Sequence, residues 1–207
     1  MKDNVFFVSG IDTNVGKSYA TGYLAKTWNE QGVRTITQKF IQTGNVGMSE
    51  DIELHRKIMG TGLLPEDESG LTMPEIFTYP CSPHLAAEID HRPIDFDKIE
   101  KATRQLSETY DAVLLEGAGG LMVPLTRDLL TIDYVAQKNY PLIFVTSGKL
   151  GSINHTLLSL EAVTRRGIRL HTVAYNLFPE EDDDIIRRDT EAYIRDLLAK
   201  NIRKLIR

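Results

Sequence analysis

Only one cysteine, Cys81, occurs in the sequence, which excludes an internal disulfide and a thiolate metal cluster and suits a reducing compartment. A lone cysteine of this kind is expected as a small filler of the core. Long apolar runs are missing too, since no window reaches the roughly eighteen residues a membrane span needs. The chain opens Met1-Lys2-Asp3-Asn4 and passes straight into Val5-Phe6-Phe7-Val8, without the basic flank and long apolar stretch of a secretory signal. A cytoplasmic protein with no membrane partner is expected. Positive charge is in deficit, leaving a net charge of -5, and this argues against a broad face for nucleic acid. Repeats and low-complexity linkers are lacking as well. With 42% hydrophobic residues there is apolar material for a core, so residues 1–207 are expected to form a single domain that works on small molecules.

What the sequence does have is an alternation. Short β-branched and aromatic runs at residues 5–8, 34–39, 112–115, 142–146 and 171–175 read as buried strands. Helical spacing marks residues 17–31, 95–110, 132–138, 154–166 and 184–200, with Gly32 and Gly167 placed as stops. Strands alternating with helices predict an α/β fold: one doubly wound, mainly parallel sheet with helices on both faces. In that architecture ligands bind beyond the carboxyl ends of the strands, so chemistry is sought in the loops that follow them. Residues 60–83 are the least regular and are expected to wrap the surface. The acidic run at residues 180–184 precedes a helical pattern, where negative charge suits the helix dipole. The basic tail at residues 203–207 reads as a helix end.

The strongest chemical signal follows the first strand: Ser9-Gly10-Ile11-Asp12-Thr13-Asn14-Val15-Gly16-Lys17-Ser18, opening a helix. Backbone amides of such a turn converge on phosphate oxygens; Lys17 would reach the outer phosphates and the Ser18 hydroxyl would ligate magnesium. Five residues separate Gly10 from Gly16, one more than the common phosphate-loop pattern. Strand, turn, Gly-Lys-Ser and helix nonetheless coincide, so a nucleotide is expected here.

After the second strand comes Gln38-Lys39-Phe40-Ile41-Gln42-Thr43-Gly44. A cation at Lys39 could neutralise charge passing between a phosphoryl donor and an oxygen nucleophile; the competing reading is a solvated lysine. Asp51 and Glu116 could complete a magnesium site with Ser18, because magnesium takes few protein ligands and leaves its other positions to water and phosphate. Glu116 is read as the end of its strand, where a carboxylate must be paired or metal-bound. Asp51 could equally cap a short helix.

Four segments together resemble the dethiobiotin synthetase family: residues 10–18, residues 39–44, Ser82-Pro83-His84-Leu85-Ala86-Ala87, and Glu116-Gly117-Ala118-Gly119-Gly120. Lys149-Leu150-Gly151-Ser152-Ile153-Asn154-His155 is similar to that family's loop after the fourth strand. The resemblance implies a P-loop NTPase-like ligase that uses ATP, Mg2+ and CO2 to close a cyclic urea on 7,8-diaminononanoate. It implies ATP contacts at Asn14, Val15, Gly16, Lys17, Ser18, Tyr19, Asp51, Glu116, Gly117, Ala118, Gly119 and Asn176, with magnesium on Ser18, Asp51 and Glu116. Lys39, Lys17 and Thr13 are the implied catalytic groups. Thr13, Lys39 and Thr43 are implied on the substrate side, although either threonine could instead shape a turn. The resemblance further implies a homodimer whose active site lies at the subunit interface, with Gly151, Ser152, Ile153 and Asn154 of the neighbour receiving the substrate carboxylate. His84 and His155 read as packing residues of their motifs.

Departures from the family's pattern are Ile11 and Ser18, each in place of threonine, and Phe40 in place of proline. The absence of proline after Pro179 alters the segment that would close the base pocket. Two rival readings stand beside the ligase: a nucleotide-switched binding module, and a related ligase with a different acceptor. Partitioning ATPases carry an extra lysine where Asp12 stands, which speaks against that class of switch.

Overall fold

A computed structural model describes residues 3–178 and 183–205 of the chain, with side chains through residue 200. The elements run β1 (Val5–Gly10), α1 (Lys17–Glu30), β2 (Thr35–Lys39), β3 (Gln42–Thr43), α2 (Glu50–Met59), α3 (Pro65–Glu68), β4 (Ile76–Phe77), α4 (Pro83–Ile89), α5 (Phe96–Thr109), β5 (Ala112–Gly120), α6 (Thr131–Lys138), β6 (Leu142–Ser147), α7 (Ser152–Arg165), β7 (Leu170–Asn176) and α8 (Asp184–Leu205). Among the described residues, five of these strands form one parallel sheet in the order β2-β5-β1-β6-β7, and β3 pairs with β4 in a small second sheet. Because all five run the same way, their carboxyl ends meet at one edge, with Lys39 of β2 aligned with Glu116 of β5.

Alternation along each strand divides the core in two. Phe7, Val113, Leu115, Leu142 and Phe144 pack on one side with Ile99 and Leu106 of α5, Ile132 and Val135 of α6, and Leu160 and Val163 of α7. Val8, Leu114, Ile143 and Val145 pack on the other with Ala25, Leu24 and Trp28 of α1. Each large side chain so buried contributes about 1.5–3 kcal/mol, and the period-two pattern fixes which residue faces which helix layer. The helices therefore cover both faces, as the alternation predicts. Gly32 and Gly167 take φ of 85° and 64° just past α1 and α7, the left-handed stop expected of them.

Three expectations are corrected. The strand read as residues 112–115 continues to Gly120, because β1 stays paired with it as far as Gly10↔Gly120, so Glu116 lies inside the strand rather than at its end. Gly117 permits this close passage: a Cβ there would lie 2.9 Å from the Phe7 ring. Residues 60–83 do not simply wrap the surface, since Asp67, Thr72, Met73, Glu75 and Phe77 are buried and β4 lies within the segment. Its acids misled because they are paired: Asp67 with Arg56 at 2.8 Å, and Glu75 with Arg92 at 2.6 Å. Cys81 is only half-buried and packs against the edge of the core rather than filling it.

At the start of α8, Asp183 Oδ1 accepts from the amides of Ile185 and Ile186 at 2.8 and 3.2 Å, which bears out the capping role read for the end of the acidic run. Residues 180–182 of that run lie outside the described residues, as do the side chains of the basic tail.

Candidate active site

The turn between β1 and α1 takes its shape from two left-handed residues, Asn14 with φ of 57° and Gly16 with φ of 90°. Gly16 is required twice over: L residues avoid that φ, and a Cβ there would lie 2.1 Å from Asn176 Nδ2. Asn176, at the carboxyl end of β7, braces the turn from behind by donating to the Val15 carbonyl at 2.8 Å. Lys17 is drawn inward, and its Nζ donates to the Asp12 carbonyl at 2.8 Å. Burial pushes the Lys17 ammonium down to about 8 from 10.5, with the Glu116 charge opposing the fall and the Lys39 charge adding to it.

Lys39 is not a solvated lysine. It is 4% exposed, and its Nζ contacts Asp51 Oδ2 at 2.5 Å, Glu116 Oε1 at 2.9 Å and the Gly117 carbonyl at 3.3 Å. Burial works against its charge, but the two carboxylates prevail and hold its pKa above the ordinary lysine value. Glu116 is fully buried. Burial alone would raise its carboxyl; the charges and hydrogen bonds of Lys39 and His55 hold it well below the usual range. Ser18 Oγ lies 2.6 Å from Asp51 Oδ1 and 2.9 Å from Glu116 Oε1, so one hydroxyl proton serves two carboxylates. Asp51 is not the cap of α2. Ser49 holds that place, its Oγ accepting from the Ile52 amide at 3.3 Å, which leaves the Asp51 carboxylate to Ser18 and Lys39.

Thr13, Asn14, Gly16, Lys17, Ser18, Tyr19, Lys39, Thr43, Asp51, Glu116, Ala118 and Gly119 line one cleft of about 910 Å³. Val15 packs beneath the turn against the core, and Gly117 lies against Phe7. Pro80, Cys81, Ser82 and Pro83 form another part of the wall, with Ser82 Oγ hydrogen-bonded to His84 Nδ1 at 3.0 Å. Gly151, Ser152, Ile153 and Asn154 do not line the cleft of their own chain; Gly151 is the N-cap of α7 and the others form its first turn. His155 is exposed on α7, not packed within its motif. Phe40, at the departure from the family's proline, is fully buried and its ring lies 5.5 Å from that of Phe7 and 4.7 Å from that of Tyr134. It anchors the start of the loop after β2 by packing.

The arrangement has a chemical reading. Among the described residues no three acidic, histidine or cysteine side chains form a metal cage. Two carboxylates and a hydroxyl do converge, which is the sparse donor set that suits magnesium shared with phosphate oxygens. Two cations stand in the same cleft, one on the phosphate loop and one on β2.

Sequence reasoning missed His55 and Arg56. Both are buried; His55 Nε2 lies 2.9 Å from Glu116 Oε2, and Arg56 makes a two-pronged pair with Asp67. One signal was available, because His55 stands four residues after Asp51, on the same face of α2.

The AAA domain family matches residues 4–204 of the chain. A protein of Pasteurella multocida named ATP-dependent dethiobiotin synthetase is 54% identical over 196 residues, covering 95% of this chain and 92% of its own. The chain belongs to the dethiobiotin synthetase family. A further dethiobiotin synthetase, from Chlorobaculum tepidum, is 52% identical over 191 residues, 92% of this chain and 80% of the relative. Membership bears out the resemblance read from the five segments, and with it a P-loop NTPase fold. Among solved structures, chloroplast FtsY from Physcomitrella patens shares that fold with a TM-score of 0.52 at 17% identity; the match covers 96% of this chain and 56% of FtsY.

Proposed function

We propose that this protein is an ATP-dependent ligase of biotin biosynthesis, converting 7,8-diaminononanoate, CO2 and ATP to dethiobiotin, ADP and phosphate. Membership of the dethiobiotin synthetase family supports the reaction. The observation that carries the mechanism is the pair of buried lysines, Lys17 and Lys39, in one cleft with Glu116 charged to both. A substrate amine takes up CO2 as a carbamate, whose oxygen accepts the γ-phosphoryl of ATP; the second amine then closes the ring and phosphate leaves. Carbamate and triphosphate are both anionic, and their approach needs cations on both sides. Lys17 holds the phosphates. Lys39 bridges carbamate and transferring phosphoryl, with Thr13 and Thr43 beside the diamine.

Mg2+ fits the Ser18, Asp51 and Glu116 donor set and would supply neutralisation of charge on the phosphates. The turn at Asn14, Val15, Gly16 and Tyr19, together with Gly117, Ala118 and Gly119, surrounds the nucleotide. Asn176, beside that turn, is the adenine contact. The protein acts as a homodimer in the cytoplasm, and the substrate carboxylate is received by Gly151, Ser152, Ile153 and Asn154 of the partner. Support for this last role is that α7 starts at a glycine with no side-chain cap; the Ser152 amide bonds the Lys149 carbonyl at 2.9 Å, which leaves the amides after it in the first turn for an anion.

The test is phosphate release by the purified protein with ATP, magnesium and bicarbonate, with and without the diamine, while mass spectrometry follows dethiobiotin. Diamine-dependent release with that product is the expected result. Release that ignores the diamine would sink the ligase reading.

A further inference from the structure

The Glu116 carboxylate has two oxygens with different neighbours. Oε1 faces the cleft and is shared by Ser18 at 2.9 Å and Lys39 at 2.9 Å, while Oε2 faces His55 Nε2 at 2.9 Å. His55 has no solvent exposure, and its other ring nitrogen, Nδ1, lies 3.0 Å from Thr37 Oγ1. Arg56 Nη1 donates to the same Thr37 oxygen at 2.8 Å. The Glu116 carboxylate, paired with Lys39, only accepts, so Nε2 carries a proton aimed at Oε2. Arg56 is in turn fixed by Asp67, through Nε and Nη2 at 2.8 Å each, and Asp67 also accepts from Thr72 Oγ1 at 2.6 Å and the Leu64 amide at 2.8 Å. The alternation of β2 puts Thr37 and Lys39 on one face, and the helical turn from Asp51 to His55 sets Asp51 against Lys39 and Ser18 and His55 against Glu116.

We propose that His55 is a positioning residue of the active site, fixing the Glu116 carboxylate from behind so that Oε1 stays aimed at Ser18 and the cleft. His55 touches Oε2 only, and the chain of Thr37, Arg56 and Asp67 holds the ring in turn. This rests on the reading of Glu116 as part of a magnesium nucleotide site. A buried network in which every member is partnered has one low-energy arrangement, and that gives a rigid support to the carboxylate it ends on.

The test uses the full chain with a fluorescent ATP analogue and no diamine. Magnesium is titrated and the concentration giving half-maximal nucleotide binding is read. His55→Leu is expected to raise it about 10–100-fold, the usual effect of losing the partner behind a metal-binding group. Nucleotide binding in the presence of a chelator stays within about twofold, because the phosphate loop is untouched. His55→Gln, which keeps an N–H donor, is expected to return the magnesium requirement to within about threefold of the parent. A folded His55→Leu protein with the parent titration would overturn the proposal, and so would a Gln variant no better than Leu. Should His55→Leu fail to fold, Thr37→Val decides: a shift in the same direction supports the relay and an unchanged titration overturns it. The titration needs no diamine. Absence of dethiobiotin in the product assay would sink the ligase reading alone, whereas a flat His55→Leu titration in an enzyme that makes dethiobiotin would sink only the role of His55.

Discussion

Two lysines in one cleft meet opposite fates. Lys17, on the phosphate loop, has a backbone carbonyl as its close partner, and burial drives its pKa down to about 8. Lys39, at the end of β2, is as deeply buried but sits against two carboxylates, which hold its pKa up. Burial is common to both; the difference lies in which element supplies the counter-charge. A site built from loop backbone leaves its cation without a counter-charge of its own, as the proposed phosphate-binding role of Lys17 requires. A site built from side chains of β5 and α2 supplies the anions itself, and Lys39 is locked in place before any ligand arrives.

The largest test of that division is catalytic. Lys39→Ala should lower turnover by about 10²–10³-fold or more, while ATP affinity changes by no more than about threefold. Lys17→Ala should lose both, and equal loss of nucleotide affinity in the two variants would erase the distinction. Next comes Glu116→Ala, which strips Lys39 of a buried partner. It should cost about 3–5 kcal/mol in urea denaturation and raise the magnesium requirement; an unchanged magnesium titration would remove Glu116 from the proposed metal site.

The lysines should also separate by pH. Between about 8 and 10.5 the unfolded chain holds a proton at Lys17 that the ligand-free fold has released, so stability rises with pH across that window, by about 3 kcal/mol in all. Lys39 has the reverse sign. Its contribution is fully present below 10.5 and is lost only as pH rises through its higher folded value. Replacing Lys17 by Met should therefore stabilise the protein at pH 7.5, with the gain shrinking towards pH 10.5; a gain that does not shrink would show that burial does not govern Lys17. Smallest of all is Asp12→Asn. The Asp12 charge is the weakest influence on Lys17, so nucleotide affinity should move by less than about twofold in a direct binding titration.

The same division decides what could be read from the sequence. The phosphate loop was legible because its chemistry is local: Asn14, Gly16, Lys17 and Ser18 fall within one five-residue stretch, and the turn itself dictates their types. Lys39 and Glu116 were legible in part, since Lys39 lies within a run that reads as a strand and Glu116 comes directly after one. The network behind them was not. His55, Thr37 and Asp67 are brought together only when α2 and α3 pack against β2; the spacing of His55 from Asp51 is a local hint, but nothing links either to Thr37 or Asp67. Residues 60–83 were misjudged for a related reason, because composition counts Asp67 and Glu75 as surface charges and cannot see Arg56 and Arg92 arriving to pair with them.

In the sheet β5 is flanked by β2 and β1, and its side chains alternate between the two helix layers. One residue inserted between Ala112 and Leu115 would carry Glu116 to the α5 side and bring an apolar residue into the cleft. Two inserted residues would restore the face but shift Glu116 by about 6–7 Å along the strand, away from Ser18 and Lys39. Residues 60–63 are exposed and carry no such parity constraint. Changes of chain length are thus expected to accumulate there in descendants of this gene, while the length of β5 stays fixed.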